Sequence, residues 1–223
     1  MIPQTPIQTK LFQEFASYDK FIEHFKPANL IILYEDINTV EESIAQQRIS
    51  IEDIKILYTT NKFHAGIDYL SRWIDYLQEF LNINNRLTKV RDVATVLYKD
   101  HRHFYLSDLA IIFHGILRSE YGRFYGSVDS QTITTSFASY NVSRYAASMR
   151  AERVISQVID RKMEDIKAEL RRKIYEEVVD EGLNKSVRFA EVEKRLAQRL
   201  PDILRTEREK LMKEAPKQIS SQE

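Results

Sequence analysis

Apolar residues recur at three- and four-residue spacing along most of this chain, and that period predicts one helix after another. Leu11, Phe15, Tyr18, Ile22 and Phe25 set a first helix over about 8–26, which Pro27 ends. The apolar run at 29–34 fits a short buried strand or a helical turn. No partner strand is visible in the sequence, so we read it as helical. Thr39 with Glu42, and Ser50 with Asp53, have capping-box spacing and predict two short helices over about 40–48 and 51–60.

A long helix follows over about 62–83. Phe63, Ile67, Leu70, Ile74, Leu77 and Leu81 form its buried stripe, Trp73 lies beside it, and Asn82, Asn84 and Asn85 close it. Thr88 is the expected cap of a helix carrying Val90, Val93, Ala94 and Leu97. Ser107 is the expected cap of another, with Leu109, Ile112, Phe113 and Ile116 inward and a Leu106–Ile111 staple. The turn Tyr121-Gly122-Arg123-Phe124-Tyr125-Gly126 interrupts the pattern, and Asp129 is placed as the next N-cap. Beyond Gly126 no Gly or Pro occurs before Gly182, which allows one very long helix or two joined near 141–149.

From Ile155 through Ile159, Met163, Ile166, Leu170, Ile174 and Val178 runs a narrow apolar stripe. Gly182 then stops the helix, with Leu183 placed to touch Val178 as in a Schellman motif. Ser186 restarts it, with Phe189, Val192, Leu196 and Leu200 inward, and Pro201 breaks or re-initiates it before it runs on to about 213. The expected fold is all-α: a helical body over 1–145, a long charged helical hairpin over 146–215, and a disordered tail over 216–223. A seam this narrow cannot form a globular core alone, so the hairpin is expected to pack on the body or on a partner.

Composition agrees with this pattern. Gly and Pro number five each in 223 residues, too few for the many turns of a β-sandwich. No cysteine is present, which excludes disulfides, thiolate metal sites and cysteine nucleophiles. No apolar run is long enough to cross a bilayer, and the first residues lack the design of a signal peptide, so a cytoplasmic protein is expected. Net charge is zero, but residues 1–60 carry 5 basic and 9 acidic side chains, residues 61–150 carry 11 and 8, and residues 151–223 carry 17 and 16. The last segment is dense in charge yet nearly neutral, which fits ion-paired helix faces rather than a basic nucleic-acid tail.

No pattern of catalytic residues stands out. His101, His103 and His114 are close in sequence, but Arg102 lies between the first two and no carboxylate completes a ligand set. Acidic pairs such as Glu176–Glu177 lie on charged helix faces with basic neighbours. A non-enzymatic protein with no metal and no cofactor is therefore expected. The turn is the strongest candidate site. Arg118 and Arg123 supply cations, Tyr121, Phe124 and Tyr125 supply π surfaces, and Gly122 and Gly126 allow tight backbone. That mix suits single-stranded nucleic acid, with Arg144 and Arg150 extending a basic track. The competing reading is a structural corner with buried aromatics.

The stretch from Leu106 to Arg118, then Tyr121 to Asp129, then Ile133 and Tyr140 to Arg144 resembles a group of helical proteins from phages and mobile elements of Bacteroides-type bacteria. Their pattern is an Asp-containing helix, a YGxxYG-like turn, an Asp, and a helix ending near Tyr and Arg. Ser119 stands where a further Gly is common. The resemblance implies an accessory role in DNA replication, through nucleic acid or a replication partner. It carries over Tyr121, Gly122, Arg123, Tyr125, Gly126 and Asp129. The alternative is a phage structural or assembly protein that oligomerises, or meets a virion partner, through 150–213. No membrane partner is expected.

Overall fold

The computed structural model describes residues 5–45, 49–122 and 129–219. These residues form α-helices and no strand; isolated β-bridges join Ser50 to Tyr105 and Thr60 to Phe63. The fold is all-α, a multi-helix bundle with a C-terminal two-helix hairpin. It divides into two compact units, Met1–Ser148 and Met149–Glu223.

The first unit contains α1 (Pro6–Glu14), α2 (Tyr18–Phe25), α3 (Pro27–Leu33), α4 (Val40–Ala45), α5 (Ile51–Tyr58), α6 (Ala65–Phe80), α7 (Val90–His101), α8 (Leu106–Leu117) and the start of α9 (Ser130–Asp180). The first expected helix is in fact two. Ser17 takes an extended conformation and its hydroxyl accepts from the Lys20 N–H, so a new helix starts inside an unbroken apolar period. Pro27 opens α3 as well as closing α2, because its fixed φ suits a first helical position. Residues 29–33 are helical, as read. Both capping boxes form: Glu42 accepts from the backbone of Asn38 and Thr39, and Asp53 from that of Ser50. Those two amides hold the Glu42 carboxyl below the usual glutamate range.

Other starts differ from expectation. His64 caps α6 through Nδ1, which accepts from the Ile67 N–H at 3.2 Å. Lys89, rather than Thr88, precedes α7, with no side-chain cap. Ser107 lies inside α8 and is fully buried; the turn before it is closed by the Asp108 carboxylate accepting from the Tyr105 N–H at 2.8 Å. Asn82, with φ of 50°, ends α6 in the left-handed conformation. The N–H of Asn82 reaches the Glu79 carbonyl and that of Ile83 the Gln78 carbonyl, a Schellman arrangement.

The core gathers Phe21, Tyr69, Trp73, Phe104, Phe113, Phe137 and Tyr140 with the inward aliphatics of α5 to α8. Trp73, read as flanking the α6 stripe, is 1% exposed and meets Phe137 edge-on at 5.4 Å. Tyrosine hydroxyls reach out of this core to tie helices together: Tyr58 donates to the Phe15 carbonyl and Tyr69 to that of Phe25. Burial pushes the Tyr58 phenol up to about 12.

The second unit pairs the rest of α9 with α10 (Lys185–Ile219). Its seam is Ile174, Val178, Val192 and Leu196, flanked by Leu170, Leu183 and Leu200. Gly182 stops α9 with φ of 75°. Asn184, not Ser186, precedes α10, its carbonyl accepting from Val187 and Arg188. Pro201 does not break α10. It is exposed, so the Ala197 carbonyl that loses its helical partner faces solvent. Phe189 departs furthest from the sequence reading: it was assigned to the seam, yet it is 72% exposed. Leu183 fills the seam end instead. Cross-helix pairs lace the faces, with Arg195 on Glu181 and Arg199 on Glu177. Among the described residues no helix is long and apolar enough to cross a membrane.

Candidate functional site

The turn after α8 begins with a second Schellman motif. Ser119 has φ of 60°; its N–H reaches the Ile116 carbonyl and that of Glu120 reaches the Gly115 carbonyl. The residue noted as standing in place of a glycine thus adopts the glycine-favouring conformation. Gly122 follows with φ of 105°. Gly115 has a different reason to lack a side chain: a Cβ there would sit 2.5 Å from the Tyr121 ring. Tyr121 packs half-buried on the main core, and burial raises its phenol above the usual range. The Arg118 guanidinium is engaged by Glu120 at 2.7 Å. Asp129 caps α9, accepting from the Thr132 N–H at 2.6 Å. Arg123, Tyr125 and Gly126 lie outside the described residues.

Arg144 belongs to a buried polar cluster that the sequence did not reveal as one object. The loop before α8 runs against the start of α5: the Ile51 and Glu52 amides, which a helix N-terminus leaves without internal partners, donate to the carbonyls of Phe104 and Arg102. That pairing fixes Tyr105 and hence Asp108, which is fully buried. Its Oδ1 accepts from the Ser43 hydroxyl and the Tyr140 hydroxyl, each at 2.6 Å. Its Oδ2 accepts from the Tyr105 N–H at 2.8 Å and from Arg144 Nε at 3.0 Å. The single Ser43 proton is engaged by Asp108, so at the 2.7 Å Ser43–Ser107 contact it is Ser107 that donates. Arg144 also lies over the rings of Phe104 and Tyr105 at 5.6 and 5.1 Å. Burial, then the Asp108 charge, pushes the Tyr140 phenol far above its ordinary range.

A carboxylate offers about four acceptor directions, and all four are filled here. Asp108 therefore has no free lone pair for a substrate proton. The cluster clamps α4, α8 and α9 together and fixes both helices that flank the turn.

The histidines form no site among the described residues, where no group of three or more His, Cys, Asp or Glu is placed to hold a metal ion. His101 is packed between Phe104 and Phe137, and its Nδ1 is buried without a hydrogen-bond partner. Burial lowers the basicity of His64, His101 and His103 alike.

The second unit carries a surface that sequence reasoning missed. Ala168, Arg171, Arg172 and Tyr175 of α9 face Lys185, Arg188, Phe189 and Val192 of α10 across a shallow groove. Both sets are spaced i, i+3, i+4, i+7, which puts each on one helix face. Tyr175 is 50% exposed and Phe189 72%. Arg171 pairs with Glu193 across the hairpin, Arg172 lies 3.9 Å from Glu176, and Arg188 Nε donates to the Leu183 carbonyl at 2.7 Å. The signal was present in the sequence as basic residues interleaved with two aromatics at helical spacing. It was hidden because Phe189 also fits the seam period.

The profile of a family of unknown function (DUF6633) matches residues 85–182, which include α7, α8 and α9, the Asp108 cluster apart from Ser43, and the α9 side of the groove. No curated protein and no solved structure matches the chain. The chain is thus similar to that family over the segment from the start of α7 to the glycine that stops α9.

Proposed function

We propose that this protein is a non-enzymatic accessory factor of phage or mobile-element DNA replication, working by holding a macromolecular partner. The setting comes from the sequence resemblance. The binding role is supported by one observation above the others: Tyr175 and Phe189 are exposed on one face of the hairpin and ringed by cations. Large aromatics beside arginine, outside any core, are the residue types that dominate partner interfaces. The saturation of Asp108 argues in the same direction, since the buried carboxylate best placed for acid–base work is committed to the fold. At the other candidate site, the clamp fixes the helices beside the turn, and a fixed scaffold is what a recognition loop needs.

One experiment tests a nucleic-acid role for the turn. Fluorescence anisotropy of labelled single-stranded and duplex oligonucleotides is followed at low and moderate salt. A nucleic-acid role for the turn predicts salt-sensitive binding that weakens when Arg118 and Arg123 become Ala. Binding that ignores these changes, or none at low salt, removes nucleic acid as the partner of the turn and leaves a replication protein.

A further inference from the structure

We propose that the groove between α9 and α10 is the seat of a third helix, an acidic amphipathic segment of a partner protein. The inference rests on the partner-binding reading above and names the partner's chemistry. Three observations carry it. The first is shape. Two packed helices present matching i to i+7 stripes, and seven residues at 1.5 Å each give ridges about 10 Å long. A helix laid between such ridges engages them with its own i, i+3, i+4, i+7 residues. The second is the apolar content. Phe189 and Tyr175 are exposed and share the groove lining with Ala168 and Val192, so an apolar side chain from a third helix meets two aromatic rings and two aliphatic side chains.

The third is charge. Arg171, Arg172, Lys185 and Arg188 line the groove with one carboxylate, Glu193, and Glu176 pairs with Arg172 beside it, which leaves a surplus of two positive charges. A partner helix with a few carboxylates beside its apolar stripe matches that rim. A nucleic-acid strand fits less well. Residues 151–223 carry 17 basic and 16 acidic side chains, so outside the groove lining that segment has more acidic than basic groups and offers no net basic track for a polyanion.

The test uses the full chain and a labelled synthetic peptide of about 14 residues, Glu-rich, with Leu and Phe on one helical face. Controls are the same composition scrambled off that face, and oligo-dT of about 20 nucleotides. The amphipathic peptide is expected to bind at least ~10-fold more tightly than the scrambled one, and Phe189→Ala or Tyr175→Ala to weaken it ~10-fold or more with an unchanged far-ultraviolet circular dichroism spectrum. The pair Arg172→Glu and Lys185→Glu is expected to abolish binding and to create affinity for the same peptide with Lys in place of Glu. Equal binding of the scrambled peptide, or no effect of the Phe189 and charge-reversal variants, overturns the inference. Preferential binding of oligo-dT, or a concentration-dependent dimer that Phe189→Ala disrupts, overturns the acidic helix while sparing the broader partner-binding reading. If neither peptide, nucleic acid nor a second copy binds, both readings fall.

Discussion

Changing Asp108 to Asn tests whether the buried cluster is a structural clamp. The substitution preserves volume and removes charge. The Asn carbonyl would face Tyr105 N–H and Arg144, which donate to Oδ2 now. Its NH₂ would face Ser43 and Tyr140, whose hydroxyls can rotate to accept. Most hydrogen bonds therefore survive in neutral form, and the principal loss is the counter-ion of an Arg144 side chain that is only 15% exposed. Removing one partner of a buried ion pair costs about 3–5 kcal/mol. The slight exposure of Arg144, which lets it swing partly toward water, places the expectation near the lower bound, about 3 kcal/mol. Tyr140→Phe deletes one hydrogen bond to a charged group and should cost about 2 kcal/mol. Asp108→Ala, which strands all four donors, should cost the most. Urea unfolding followed by tryptophan fluorescence is the assay, because the only tryptophan, Trp73, is buried in this unit. A cycle of Asp108→Asn with Arg144→Met should show a coupling of about 1–3 kcal/mol. A loss below about 1 kcal/mol for Asp108→Asn, or no coupling, would refute the clamp.

Further outcomes follow from the same geometry. His64, His101 and His103 are all less basic in the fold than in the unfolded chain, chiefly through burial. Below the unfolded value of about 6.5 the unfolded chain binds more protons, so stability is fully present above that pH and falls as pH drops through it. His101→Leu should flatten part of that slope in thermal melts, and an unchanged slope would show that His101 does not contribute. Ser119→Gly relieves a left-handed backbone at the end of α8 and should raise stability by about 0.5 kcal/mol after the extra freedom of the unfolded chain is subtracted; a measured loss would contradict the αL assignment. Gly115→Ala forces the Tyr121 ring aside, which should appear as increased amide exchange at the turn. The exposed Arg118–Glu120 pair should contribute under about 1 kcal/mol, so Arg118→Ala is expected to leave the urea midpoint nearly unchanged.

Local chemistry was legible in the sequence. Thr39, Ser50 and Asp129 read correctly as caps because a cap depends on residues three positions away. Asn82 and Gly182 read correctly as stops. Where another residue served, the residue type misled: an imidazole caps α6, and Ser107, an expected cap, is instead a buried donor to Ser43. The α1–α2 break was missed because the apolar period passes through Ser17 without a gap. The Asp108–Arg144 contact spans 36 residues and exists only once α8 packs on α9; its ingredients, an aspartate in one helix and Tyr140 and Arg144 four apart in the next, were visible, but their meeting was not. The groove failed to register for the opposite reason. Phe189 fits the seam period, and only the packing of Leu183 at the seam end shows that the seam does not need it.

The most direct test of the account is the affinity of the full chain for an acidic amphipathic peptide, measured side by side with Phe189→Ala and with the urea midpoints of both proteins. Phe189 is exposed, so the account predicts midpoints equivalent within about 0.5 kcal/mol and an affinity at least ~10-fold weaker in the variant. A variant that binds as well as the parent, or that loses stability on the scale of a buried phenylalanine, about 3–5 kcal/mol, would contradict it.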